Sequence, residues 1–155
     1  MSDLSNILSL EAVDAGLTVA NKKALFQQLA SAAGRLTGLP AKQIATALTQ
    51  REKLGSTGFG GGAAIPHGKM EGLAHVFGFF ARLSGPIDFQ AVDGIPVDLV
   101  FLLLSPPDAG AEHLKALASV SRTFRDRQIL AKLRGARSKD ALFALLAGEE
   151  TRDAA

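Results

Sequence analysis

The residues best suited to chemistry are three histidines, His67, His75 and His113, and a glycine-rich stretch that leads to the first of them. The stretch reads GSTGFGGGAAIPHGK over residues 55–69 and contains six glycines. A neutral imidazole is nucleophilic and largely unprotonated near neutral pH, with a reference pKa of about 6.5. Glycines let successive backbone N–H groups point into one hollow and leave room for a partner's backbone. These residues fit a histidine that carries a phosphoryl group, and they also fit a loop packed for shape beside a structural histidine.

Two familiar phosphate-binding motifs do not match this stretch. Gly58, Gly60 and Ala63 have the spacing of a dinucleotide fingerprint, but that motif needs a strand before it and a helix after it. Here a helical pattern precedes the glycines, and Pro66 would break a helix that began after them. A Walker A loop would need glycine where Ala63 stands, and Ser or Thr where Met70 stands.

Composition limits the remaining classes of function. The chain has 155 residues, of which 47% are hydrophobic and 21% are charged, and this indicates one folded domain. It contains no cysteine, so disulfides, thiol catalysis and thiolate metal sites are excluded. The histidines have the spacing of no metal-ligand motif. We therefore expect neither a metal nor a cofactor.

The sequence also predicts a cytoplasmic protein. The N-terminus MSDLSNILSL lacks the basic start and long apolar run of a signal peptide, and no apolar run approaches the roughly 20 residues that cross a bilayer. The net charge is only +2, and the pI of 9.2 is high because a chain without Tyr or Cys has almost nothing that titrates between histidine and lysine. We therefore expect neither membrane insertion nor nucleic-acid binding.

Helical periodicity predicts two helices before the glycine stretch. Asn21 is suited to cap the first helix and Gly38 to end it. Pro40 is suited to begin the second helix, and Gly55 to end it. The apolar positions expected to face the core from the second helix are Ile44, Leu48 and Leu54.

After the glycines, the runs HVFGFFARL and VDLVFLLLS predict two buried strands, with His75 at the start of the first. GPIDFQAVDGIP, between them, predicts a short strand flanked by turns, one of them at Asp93 and Gly94. Helices come next in AEHLKALASVSRTF, RQILAKLRGA and KDALFALLAG, and Ser138 is suited to cap the last. The apolar side expected for the first of these three is Leu114, Leu117, Val120 and Phe124. This order predicts an α/β domain over residues 1–150, with helices on both faces of one sheet, and a disordered tail over residues 151–155.

A basic stretch near the C-terminus is a second candidate for function. Residues 122–139 contain a single acid, Asp126. The basic residues in this stretch are Arg122, Arg125, Arg127, Lys132, Arg134, Arg137 and Lys139. A solvated helix surface explains them, and docking of an acidic protein partner is the functional alternative. Nucleic acid fits less well because aromatic residues are not interleaved among the charges.

Residues 51–69, REKLGSTGFGGGAAIPHGK, closely resemble the active-site segment of fructose/mannitol-type enzyme IIA domains of the bacterial phosphoenolpyruvate-dependent phosphotransferase system. They are most like the stand-alone nitrogen-regulatory branch of that family. The likeness continues through PVDLVFLLLSP at 96–106 and EHLKALASVSR at 112–122, and it covers nearly the whole chain. One position departs from the family pattern, because Gly61 stands where the family usually has Asn.

The resemblance implies the family fold, a mixed β-sheet flanked by helices on both faces, and a set of site residues. His67 corresponds to the phosphorylated histidine, with Nε2 as the acceptor atom. His113 corresponds to a second histidine that stabilises the phosphate, and Arg51 to an arginine that supplies positive charge. The residues expected in the loop that lines the phosphate are Ser56, Thr57, Gly58, Gly60, Gly61 and Gly62.

The resemblance also implies a function. The chain would accept a phosphoryl group from an HPr-like phosphocarrier protein, and its phosphorylation state would control regulatory targets such as kinases or ion transporters. It would act as a protein-to-protein phosphotransferase component, not as an enzyme of small molecules. A stand-alone sugar-specific component that passes phosphate to a fructose/mannitol-type permease is the alternative. The sequence shows no attached IIB-like or membrane segment, which favours regulation.

Overall fold

The computed structural model describes residues 4–148. A short 3-10 turn at Leu10–Ala12 precedes the first strand. The strands are β1 (Val13–Leu17), β2 (Gly58–Gly60), β3 (Ala63–Ala64), β4 (His67–Lys69), β5 (Phe77–Ile87) and β6 (Val97–Ser105). The helices are α1 (Lys22–Thr37), α2 (Ala41–Lys53), α3 (Gly110–Arg125), α4 (Arg127–Gly135) and α5 (Lys139–Ala147).

The six strands form one mixed sheet with the order β1-β5-β6-β3-β2, and β4 pairs with β6 beyond β3. The β5–β6 pair is antiparallel, whereas β3 and β4 run parallel to β6. Residues 99–105 of β6 are all fully buried. Because successive side chains of a strand point to opposite faces, helices must cover the sheet on both sides. The predicted fold, a mixed sheet with helices on both faces, is confirmed.

The helix caps predicted from the sequence are also confirmed. The Asn21 side chain accepts a hydrogen bond from the backbone N–H of Ala24, and Gly38 ends α1 with a left-handed φ of 80°. The Ser138 side chain likewise accepts a bond from Ala141 at the start of α5. The second helix begins after Pro40 and ends at Lys53.

Two predicted core leucines are exposed instead. Leu54 is 85% exposed because it lies one residue beyond the end of α2, where helical periodicity no longer sets its direction. Leu114 is 66% exposed, because the buried face of α3 runs through its neighbour His113. The other buried residues of α3 are Ala116, Val120, Thr123 and Phe124.

Three strand predictions also need correction. The segment around Pro86 is not a separate strand but the end of β5, which continues to Ile87. His75 lies in the loop two residues before β5. Short strands occupy part of the glycine stretch, and β1 has no counterpart among the predicted elements. The predicted tail over residues 151–155 lies outside the described residues.

Candidate active site

His67 is the first residue of β4, and the middle of the sheet fixes its backbone. It pairs with Leu103 of β6, and the carbonyl of the preceding Pro66 accepts a hydrogen bond of 2.9 Å from the Leu103 N–H. Leu103 is fully buried, so β4 rests on the rigid core of the domain. The imidazole itself is only half-buried. The half-exposed His67 imidazole is thus carried by β4, which is held in place by its pairing with the buried strand β6.

The neighbours of the His67 ring fix its tautomer. Nδ1 lies 2.8 Å from the Ile65 carbonyl oxygen, which can only accept a hydrogen bond. The Arg51 Nε donates to His67 Nε2 over 3.2 Å, so Nε2 must be an acceptor. Together these contacts place the proton on Nδ1 and leave a lone pair on Nε2. The nitrogen that could act as a nucleophile is therefore Nε2, to which Arg51 donates.

His113 approaches His67 from α3. The two ring centroids are 5.7 Å apart. His113 lies in the first turns of the helix and is buried, and its Nδ1 is 2.5 Å from the hydroxyl of the fully buried Ser105 at the end of β6. The hydroxyl fixes the orientation of the ring. One side of His113 is thereby engaged in the core while the ring faces His67.

Burial lowers the pKa of the His67 imidazole below its usual value, and the Arg51 charge lowers it further, although the Ile65 carbonyl and Glu52 act in the opposite direction. Burial likewise lowers the pKa of His113, and the Lys69 charge, together with His67 when it is protonated, acts in the same direction. Both rings are therefore neutral near pH 7. A neutral His67 has an Nε2 lone pair that could attack phosphorus once Arg51 no longer donates to it.

Arg51 and Glu52 hold the loop between α2 and β2 from two sides. The Arg51 Nη1 donates to the Gly55 carbonyl over 3.0 Å. The Glu52 carboxylate accepts the Thr57 N–H over 3.1 Å and the Thr57 hydroxyl over 2.5 Å. The Ser56 hydroxyl accepts the Gly58 N–H. Ser56 and Thr57 therefore lie close to the site but use their side chains within the loop.

The structure does not bring the glycines Gly60, Gly61 and Gly62 beside His67. They form the tip of the β2–β3 hairpin, where the Gly62 carbonyl accepts hydrogen bonds from Asp98 and Leu99 at the opposite end of β6. His67 pairs five residues further along, at about 3.3 Å per residue, so the tip lies about 16 Å away along the strand. Gly58 pairs with Ala64 and lies between the two ends. The expected glycine hollow around the histidine is therefore replaced by a different depression.

That depression has a volume of about 410 Å³. Its lining consists of Ala47, Gln50, Arg51, Leu54, His67, Gly68, Lys69 and His113. Gln50, Leu54 and Lys69 were not among the predicted site residues. Lys69 comes two positions after His67 on β4, and alternate residues of a strand share a face. That spacing was visible in the sequence, whereas the contribution of Gln50 required the position of α2 relative to β4.

Within residues 4–148, no group of three or more His, Asp or Glu side chains is placed to hold a metal ion. No helix in the same range is long and apolar enough to cross a membrane.

The family model of the phosphoenolpyruvate-dependent sugar phosphotransferase system, EIIA 2, matches residues 6–148. The chain belongs to this EIIA family. A nitrogen regulatory protein of Bradyrhizobium diazoefficiens is 50% identical to this EIIA over 144 residues, which cover 93% of this chain and 94% of the relative. A nitrogen regulatory protein of Escherichia coli K12 is 37% identical over 148 residues, which cover 95% and 91%. The sequence resemblance is confirmed.

Solved structures support the same assignment. The crystal structure of nitrogen regulatory protein IIA-Ntr from Neisseria meningitidis matches this EIIA with a TM-score of 0.88 and 37% identity, covering 92% of this chain and 98% of that one. IIA mannitol from Escherichia coli matches with a TM-score of 0.76 at 21% identity, covering 90% and 99%, which is a likeness of fold. The chain is therefore an IIA-Ntr-like EIIA protein.

Proposed function

We propose that this EIIA is a cytoplasmic phosphocarrier that accepts a phosphoryl group on Nε2 of His67 from an HPr-like phosphohistidine protein. Its phosphorylation state then controls which regulatory targets it binds. The observation that carries the proposal is the tautomer of His67. The contacts of His67 with Ile65 and Arg51 leave a lone pair on Nε2. This nitrogen lies beside the Arg51 guanidinium, and the His113 imidazole is close to the His67 ring.

The transfer is an in-line displacement at phosphorus. The Nε2 lone pair of His67 forms the new N–P bond while the N–P bond of the donor histidine breaks, and the donor imidazole leaves with that electron pair. The phosphoryl group keeps its three oxygens throughout. The proton on Nδ1 stays with its hydrogen bond to the Ile65 carbonyl. Positioning and charge stabilisation supply the catalysis.

Arg51 must change partners during this step. Its Nε occupies the Nε2 lone pair before transfer, so this contact breaks when the donor protein docks. Its Nη1 bond to the Gly55 carbonyl can persist and keep the guanidinium close. The Nε–H then faces the phosphoryl oxygens, for which a planar guanidinium is well suited. With the Ser105 hydroxyl donating to Nδ1 of His113, the His113 Nε2–H can donate to another phosphoryl oxygen.

The test is incubation with phosphoenolpyruvate, the first enzyme of the phosphotransferase system and an HPr-like protein, followed by intact-mass measurement. We expect the mass of one acid-labile, base-stable phosphoryl group on the wild-type chain and none on His67→Ala. His75→Ala is the matched control, because His75 is exposed in the loop before β5 and should leave phosphorylation unchanged. A phosphorylated His67→Ala protein would refute the assignment of the acceptor.

Regulation is proposed ahead of sugar transport because the nitrogen regulatory proteins of Bradyrhizobium diazoefficiens and Escherichia coli are 50% and 37% identical to this chain over more than 90% of its length. A fructose-specific EIIA component of Haloferax volcanii is 34% identical over 150 residues, so the transport role is the second candidate. Phosphoryl transfer to His67 is common to both roles. Only the fate of the phosphoryl group and the choice of partner distinguish them.

A further inference from the structure

Glu52 is a nearly buried carboxylate that the sequence does not single out and that no step of the transfer uses. Its side chain is 8% exposed. Lys22 at the start of α1 donates to it over 2.8 Å, and the Thr57 N–H and hydroxyl also donate to it. A buried charge is costly unless it is paired and hydrogen-bonded, and Glu52 meets both conditions. Such a group either stabilises the fold or serves the neighbouring site.

A chain of hydrogen bonds connects Glu52 to the reactive histidine. Glu52 holds Thr57 by both its N–H and its hydroxyl. The Thr57 carbonyl accepts the N–H of Ile65 over 3.0 Å. The Ile65 carbonyl in turn accepts Nδ1 of His67 over 2.8 Å. The position of the Ile65 peptide, which decides the His67 tautomer, is thereby tied to Glu52.

Glu52 and Arg51 hold the same loop at two places. Adjacent helical side chains point about 100° apart, so Arg51 and Glu52 reach the following loop at different places. Arg51 bonds the Gly55 carbonyl at the start of the loop, and Glu52 bonds Thr57 at its end. If Thr57 were released, the Gly55 carbonyl that orients the guanidinium would also be free to move.

We propose that Glu52 is a positioning residue of the phosphoryl-acceptor site, which acts through Thr57 and Ile65 to hold His67 with its proton on Nδ1 and its lone pair on Nε2. The consequence for transfer rests on the proposed function. The consequence for the tautomer does not, because it concerns the unphosphorylated chain alone.

The test compares Glu52→Gln with the wild type by ¹⁵N NMR of the imidazole nitrogens at a pH where His67 is neutral. A glutamine has one acceptor oxygen, so it cannot serve Lys22 and both Thr57 donors. We expect the Nε2–H tautomer of His67 to appear in Glu52→Gln. We also expect phosphoryl acceptance to slow by about tenfold to a hundredfold, as small displacements of a reacting group do.

Two variants of Thr57 make the test independent of the stability of Glu52→Gln. Thr57→Ser keeps both donors to Glu52 and should retain the wild-type tautomer and rate. Thr57→Val loses the hydroxyl donor. It should show part of the change in the His67 tautomer and part of the decrease in the phosphoryl-acceptance rate. Thermal unfolding is measured for every variant, and the assays are run well below the lowest midpoint.

A purely stabilising role would lower the unfolding temperature without moving the tautomer. Wild-type imidazole spectra in both Glu52→Gln and Thr57→Val would therefore overturn the proposal, whatever their stability. The variants could show a shifted tautomer while the wild-type chain accepts no phosphoryl group. That result would uphold the role of Glu52 and refute the proposed function. The two inferences can thus fail separately.

Discussion

His67 and His113 owe their neutral state to burial and to nearby positive charge, and this has a consequence for stability. Their folded-state pKa values lie below the unfolded value of about 6.5. Below that pH the unfolded chain binds more protons than the folded chain. Their contribution to stability is therefore complete above about pH 6.5 and is lost as the pH falls toward their folded pKa values.

We predict that the thermal unfolding midpoint decreases as the pH is lowered from about 7 to about 5.5, a range that spans the usual histidine pKa. The double variant His67→Gln/His113→Gln should show a weaker dependence, because glutamine does not titrate. Calorimetry on both proteins measures the difference. An identical pH dependence of the two midpoints would show that these rings do not have lowered pKa values.

The effect of His113 on transfer is a separate prediction. Its ring lies 5.7 Å from that of His67, which places it to contribute a hydrogen bond to a phosphoryl group on His67. His113→Ala should still be phosphorylated but should transfer about a hundredfold more slowly, the usual loss for one stabilising donor. Rapid-quench measurement of transfer in both directions tests this. Rates equal to those of His75→Ala would show that His113 has only a structural role.

At the scale of elements, the β2–β3 hairpin explains why Gly61 can replace the Asn usual in the family. Gly61 has a φ of 67°, in the left-handed region that Asn tolerates better than most residues. A Cβ atom there would lie 3.7 Å from Leu130, an ordinary contact. At Gly62, with a φ of 87°, a Cβ atom would overlap the Arg134 guanidinium that bonds Asp98 and the Gly61 carbonyl.

Gly61→Asn should therefore keep the free energy of unfolding close to the wild-type value, whereas Gly62→Asn should lose about 1–3 kcal/mol. Urea denaturation measures the free energy of unfolding of each variant. Because the hairpin tip is remote from His67, Gly61→Asn should also accept phosphate at the wild-type rate. A slower Gly61→Asn protein would mean that the hairpin takes part in transfer.

The elements differ in how far the sequence could predict them. The limits of α1 were predicted correctly because the Asn21 cap and the Gly38 terminus are signals that act within a few residues. The short strands β3 and β4 were missed because their stability comes from pairing with β6, more than 30 residues away. Glu52 was missed for the same reason, since its Lys22 partner comes from another helix. The sequence resemblance predicted His67, His113 and Arg51 as site residues. Only the fold showed that the tip of the glycine hairpin lies away from them, at the other end of β6.

For the whole molecule, phosphorylation is a large change in charge. The chain carries a net charge of +2, and a phosphoryl group adds roughly two negative charges by analogy with other phosphorylated side chains, which brings the total close to zero. The basic residues of the stretch over 122–139 remain on the exposed surface of α3 to α5, except that Arg134 pairs with Asp98. A phosphoryl group on His67 would place its added charge in the depression around that residue.

A partner that covers this depression would sense that charge directly. It would bury Leu54, which is 85% exposed beside His67, and bring its own surface against the phosphoryl oxygens. Since the glycine hairpin lies elsewhere, we attribute the change in the docking surface to charge and not to closure of that loop. A loss of only about 1.4 kcal/mol in binding free energy already means a tenfold weaker complex.

We therefore predict at least one target that binds the unphosphorylated form and releases the phosphorylated one. His67→Asp should partly mimic release because it places a negative charge in the depression, and His67→Ala should bind constitutively because it can never acquire one. The measurement is a pull-down from cytoplasmic extract with the phosphorylated chain, the unphosphorylated chain and both variants, followed by affinity measurements on each purified target. Equal recovery of every captured protein with all four forms would refute control by phosphorylation state. Transfer of the phosphoryl group to a sugar permease component would then be the better account, because that role needs the same acceptor but no discrimination between the two forms.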